Sequence, residues 1–78
     1  MMKAYVLINA VTGEVRDVVR QLRRVEKVTE ANLTFGPYDA VAIVEADDID
    51  KVGMIVYQEI QPIPGVIDTL TCLVVNTD

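Results

Sequence analysis

Seventy-eight residues give room for one small domain, 1–78, and 51% of them are hydrophobic, generous for a chain of a size that buries only about 60% of its unfolded surface when it folds alone. A net charge of −5 repels a phosphate backbone and argues against direct nucleic-acid binding, while a single cysteine and no histidine exclude an internal disulfide framework, imidazole acid–base chemistry and histidine metal sites. The opening MMKAYVLINA lacks the long apolar segment and small-residue cleavage site of a signal peptide, and no run approaches the roughly 20 apolar residues of a membrane span, so a soluble, cytoplasmic chain is expected, without contact to a membrane.

The elements follow in a regular order. Residues 3–9 (KAYVLIN) are short, apolar and bounded by polar residues, which reads as a strand. Thr12 is placed to cap a helix beginning near Gly13, with Val15, Val18, Val19 and Leu22 at helical spacing and Arg16, Arg20, Arg23 and Lys27 on the opposite side. Residues 28–35 (VTEANLTF) alternate loosely and carry β-branched side chains, a second strand. GPYD at 36–39 turns the chain, and 40–46 (AVAIVEA) form the third strand. Asp47 or Asp48 starts a second helix whose face is Ile49, Val52, Val56 and Ile60, and Pro62 with Pro64-Gly65 ends it. Residues 66–75 (VIDTLTCLVV) are the last strand.

The order β-α-β-β-α-β predicts an α+β, ferredoxin-like fold: an antiparallel four-stranded sheet with both helices on one face. The second face of such a sheet turns polar in a monomer. Here it does not, because AVAIVEA and LTCLVV are apolar in both parities: Val41 and Ile43 against Ala40, Ala42 and Val44, and Leu70, Cys72 and Val74 against Leu73 and Val75. A second copy of the same sheet is the simplest cover. A homodimer of the dimeric α+β barrel type is expected.

AYVLIN, the turn FGPYD running into AVAIVEADD, and IQPIPGVIDTLTCLVV together resemble the ligand-binding domain of the Lrp/AsnC family of feast/famine regulators, the RAM module. The resemblance covers residues 3–75, and its most specific parts are Gly-x-Tyr-Asp and Pro-Gly-Val followed by Thr-x-Thr. VEKV at 25–28 stands where the family often has a Pro-Gly turn. The helix-turn-helix domain of full-length members has no counterpart before the first strand, which the resemblance reads as a stand-alone module.

The resemblance implies dimers that assemble into rings, commonly of four dimers (an octamer), with amino-acid effectors between dimers and a full-length family regulator as a further partner. With no histidine and no glycine-rich phosphate loop in the sequence, no cofactor and no metal are expected. Carried over residue by residue, the implied site is Gly36, Tyr38 and Asp39 with Thr69, Thr71 and Ile67. The chemistry agrees with that set. Asp39 supplies an acceptor for an ammonium group, Gly36 lets backbone donors approach a carboxylate, Thr69 and Thr71 bring two hydroxyls on one strand face, and Tyr38 offers an aromatic wall.

Other roles stay open for these residues. Asp39 is also a residue that turns select, and Thr69 and Thr71 are good strand formers whatever else they do. The basic stripe sits beside Glu14, Asp17, Glu26 and Glu30 without interleaved aromatics, which reads as a solvated helix face rather than a nucleic-acid patch. Asp47, Asp48 and Asp50 read as helix-capping charges, and Cys72 as a small core residue with no base to activate it. Catalysis is therefore not expected. The alternatives to an amino-acid-sensing module are a small dimeric ferredoxin-like enzyme or metabolite-handling protein with a pocket inside each subunit, and an ACT-type regulatory domain, which the GPYD and TLT stretches fit less well.

Overall fold

The computed structural model describes residues 1–76. Strand β1 (Met2–Ala10), helix α1 (Val15–Leu22), β2 (Val28–Leu33), β3 (Ala40–Ala46), helix α2 (Ile49–Ile55), a π-helical continuation (Val56–Ile60) and β4 (Val66–Leu73) follow one another. The sheet is antiparallel throughout, in the order β2-β3-β1-β4. The predicted ferredoxin-like topology is the one observed, with β2 and β4 as the two edges.

Alternation along the central strands decides which face meets the helices. Ala4, Val6, Ile8 and Ala10 of β1 and Ala40, Ala42, Val44 and Ala46 of β3 all point to the helix side and are buried. Val18, Val19 and Leu22 of α1, and Val52, Ile55, Val56 and Ile60 of the second helical segment, close over them. The many alanines on the sheet leave room for the helices to come close. The core holds no polar or charged side chain among the described residues, so its polar chemistry lies at the surface.

Helix α1 begins later than expected. Gly13 has φ of +89°, which no helix accommodates, so Thr12 lies in a turn and Glu14 occupies the N-cap without a side-chain hydrogen bond. Helix α2 starts as anticipated: Asp48 Oδ1 accepts from the Lys51 backbone N–H at 2.8 Å, and Lys51 Nζ pairs with Asp47 at 3.3 Å. Ile49, placed on the core face by periodicity, is instead 55% exposed. The basic residues of α1 are solvated, as expected; Arg20 pairs with Asp17 at 2.9 Å, and Arg23 Nε donates to the Ala31 carbonyl at 3.0 Å, tying the helix end to β2. Lys27 lies beyond the helix, in the loop to β2.

The two helix exits are built alike. Val25 N–H donates to Leu22 C=O and Val28 N–H to Val25 C=O, both at 3.1 Å; Ile63 to Ile60 and Val66 to Ile63 repeat the pattern at the same distances. VEKV and IPGV thus make the same turn from different residues, and Val25 and Ile63 both pack against the core. Only the second requires glycine. Gly65 has φ of +98°, and a Cβ there would lie 3.0–3.2 Å from Glu14 and Val18 atoms. A left-handed non-glycine residue costs about 1–3 kcal/mol, so Gly65→Ala is expected to lower stability by at least that much. An unchanged urea midpoint would count against this account.

The other face of the sheet is an apolar island. Cys72, Tyr5 and Ile43 form one row across β4, β1 and β3, and Leu70, Leu7 and Val41 form the next. Tyr5 is 40% and Leu70 48% exposed, and no helix covers them. Cys72, expected in the core, is exposed on this face, because its parity along β4 is that of Leu70. Polar residues rim the island: Asn9 and Asp68 hydrogen-bonded at 3.0 Å, Asn32 and Glu30 at 2.9 Å, and Lys3 opposite Glu45.

Candidate functional site

The β2–β3 turn is held from inside by Thr34. Its N–H donates to Asp39 C=O at 3.0 Å and its hydroxyl to Tyr38 C=O at 2.7 Å. Strand β2 therefore stops at Leu33, short of the expected Phe35, and Phe35, Gly36 and Pro37 stand exposed at the tip. Gly36 keeps a backbone conformation open to other residues, and a Cβ on it would meet nothing within 4 Å. Within one chain nothing requires glycine there.

Asp39 does more than close a turn. Its N–H donates to Ile8 C=O at 2.9 Å, and its Oδ2 accepts from the Ala10 N–H at 2.8 Å. The carboxylate thus serves the end of β1, at the point where β3 has no further backbone carbonyl to offer. Oδ1 has no hydrogen-bond partner among the described residues. Tyr38 and Asp39 are both half-buried.

Thr69 and Thr71 lie on the edge strand β4, on the helix side of the sheet, opposite Ile8 and Val6. Between β4 and α2 runs an open groove of about 340 Å³. Val52, Gly53 and Val56 with Ile49 form its helical wall, Thr71 and Leu73 its strand wall, and Tyr57 and Gln61 complete it. Gln61 Nε2 donates to Thr69 Oγ1 at 3.2 Å. Ile67 is exposed at the start of β4.

Tyr57 and Gln61 were not among the residues predicted from sequence. No local sequence signal marks them; what places them is a π-helical turn, in which Gln61 N–H donates to Val56 C=O at 2.8 Å. Turns of this kind add a residue to the helical circuit and are frequent at functional sites. Here the turn keeps Val56 and Ile60 in the core while Tyr57 and Gln61 face the groove.

The predicted residues therefore fall into two groups. Gly36, Tyr38 and Asp39 sit at the end of β3, and Thr69 and Thr71 on β4, with β1 between them. Strands lie ~4.8 Å apart, which puts two strand spacings, ~10 Å, between the groups. One amino-acid head group does not span that gap within a single chain.

The molecule is thus an α+β, ferredoxin-like module with one open sheet face, a carboxylate at the end of β1 and two threonine hydroxyls on the edge strand β4. The chain belongs to the Lrp/AsnC ligand binding domain family, whose model matches residues 3–77. No match was found among curated proteins. Among solved structures, a protein from Thermus thermophilus is 31% identical over 100% of this chain and 98% of its own, with a TM-score of 0.93. FFRP-DM1 is 27% identical, covering 96% of this chain and 100% of its own, with a TM-score of 0.90. AsnC of E. coli shares the fold at 23% identity and a TM-score of 0.90 over 97% of this chain, which spans 52% of that protein.

Proposed function

We propose that this chain is a cytoplasmic effector-binding module that senses a small amino acid at a boundary between copies of itself and thereby modulates transcription or amino-acid metabolism. Copies pair through the helix-free face into homodimers, the dimers assemble into a ring, and a full-length regulator of the family joins through the same surfaces. Membership in a regulatory ligand-binding family supports this reading over an enzyme. For pairing, the support is the six-residue apolar island rimmed by polar side chains, the usual mark of an interface.

The observation that carries the binding site is the division of its polar groups. A free amino acid needs an acceptor for its ammonium and donors for its carboxylate. Among the described residues Asp39 Oδ1 is an unused acceptor and the Gln61–Thr69–Thr71 group holds side-chain donors, but β1 keeps them apart in one chain. Two copies meeting at an interface unite them.

A thermal-shift screen against the twenty amino acids tests this. A ligand that binds only the folded state adds about 2.7 kcal/mol at a hundred times its Kd, so one or a few small amino acids are expected to raise the melting temperature by several degrees. If none of the twenty does so at millimolar concentration, amino-acid sensing is wrong.

A further inference from the structure

Strand β2 is one of the two edges of the sheet. Opposed residues of an antiparallel pair alternate between hydrogen-bonded and non-hydrogen-bonded, and the latter turn their N–H and C=O away from the partner strand. The Thr34 N–H bonds the Asp39 C=O, which makes Asn32 and Val41 the next bonded pair along the register. Ala31, opposite Ala42, and Leu33, opposite Ala40, therefore present their backbone groups to the outer side of β2. Such a row is a template for an added strand. Nothing in its far half discourages one: Leu33 is half-exposed, Phe35 fully exposed, and no charged residue stands from Leu33 to Tyr38.

The near half is closed by the exit of α1. Arg23 Nε donates to the outward Ala31 C=O at 3.0 Å, and the Val28 N–H is taken by Val25 C=O at 3.1 Å. A bulge between Val28 and Glu30 breaks the ladder beside them. Arg20, one turn earlier, pairs instead with Asp17 of its own helix.

We infer that Arg23 guards this edge: it holds the outward Ala31 carbonyl and lays a charge across the row, so that an extended strand of another chain does not add to β2. An arriving strand must break a charge-assisted hydrogen bond to reach that carbonyl, and it must lie against the displaced guanidinium. Arginine suits the task because its fork of donors is always charged. The inference does not rest on the effector-binding reading, since pairing through the helix-free face leaves the β2 edge unused.

A mere tie between helix and sheet would affect stability alone, so the test reads association. Light scattering and thioflavin T fluorescence follow the wild type, Arg23→Ala, Arg20→Ala and the double variant Arg23→Ala/Leu33→Pro, with circular dichroism reading the fold. Arg23→Ala is expected to stay folded and to grow beyond the wild-type mass roughly tenfold faster or more, the scale of one charge-assisted hydrogen bond. Arg20→Ala takes the same charge from the same helix and is expected to keep the wild-type mass. Both changes make an acidic chain more acidic, which by itself opposes association. Proline at Leu33 removes an outward donor without costing a ladder bond, so the double variant is expected to return to the wild-type mass. An Arg23→Ala protein that keeps the wild-type mass, or that unfolds instead of associating, makes Arg23 a tie and overturns the inference. So does an Arg20→Ala protein that associates as fast as Arg23→Ala, or a double variant that fails to return to the wild-type mass.

Discussion

Val41→Asp is expected to convert the protein from a dimer to a monomer, or to a chain that no longer folds at micromolar concentration. In one chain Val41 is half-buried, beside Leu7 in the row that continues to Leu70. An aspartate there keeps much of its hydration as long as the face stays open. Stacking a second sheet on it removes that water and offers no partner charge, which costs several kcal/mol for each carboxylate. A two-fold contact buries the change twice. Since each 1.4 kcal/mol is a factor of about ten, the dimer constant should weaken by roughly a hundredfold or more. Light scattering reads the mass and circular dichroism reads the fold. A Val41→Asp protein with the wild-type mass and melting curve would show that the helix-free face is not where copies pair.

That face was legible in the sequence because strand periodicity is strict. Successive residues take opposite sides, so two apolar parities in AVAIVEA mean two apolar faces, and the observed register sorts Val41 and Ile43 from Ala40, Ala42 and Val44 as expected. The helical segments were read less well. Ile49 has the spacing of a core residue, yet as the first residue of α2 it stays exposed and lines the groove beside β4 instead. Thr12 has the chemistry of a cap, but Gly13 adopts a left-handed conformation and delays α1 to Val15. Cys72 was assigned to a core from its apolar neighbours alone; its parity along β4, shared with Leu70, puts it on the helix-free face.

The candidate site was half legible, for a physical reason. GPYD and TLT are short stretches whose residue types announce a turn and a hydroxyl-bearing strand. Gln61 and Tyr57 carry no such sign: they become neighbours of Thr69 and Thr71 only through a π-helical turn, which depends on how Val56 and Ile60 pack and not on any local signature. Nor does the sequence reveal that Thr34 closes the β2–β3 turn from within, leaving the Asp39 carboxylate to reach Ala10.

That last contact sharpens what Asp39→Asn should do. Asp39 Oδ2 accepts from the Ala10 N–H and Oδ1 has no hydrogen-bond partner among the described residues. An asparagine has one carbonyl oxygen, and the buried end of β1 claims it, since leaving a backbone N–H unpaired costs about 1–3 kcal/mol. The amide NH₂ then occupies the outward position, where a donor faces the ammonium of an arriving amino acid. The fold keeps its hydrogen bond, so the melting temperature should change little, while the ligand loses a charge-assisted bond of about 1.5–3 kcal/mol and binding should weaken roughly ten- to a hundredfold. Asp39→Ala removes the Ala10 partner as well and should lower both binding and stability. Calorimetric titration, with the amino acid that gives the largest thermal shift, alongside melting curves for both variants, separates a carboxylate that binds from one that only finishes a strand. Equal affinity in the wild type and Asp39→Asn would leave Asp39 a structural residue and move the ammonium acceptor elsewhere.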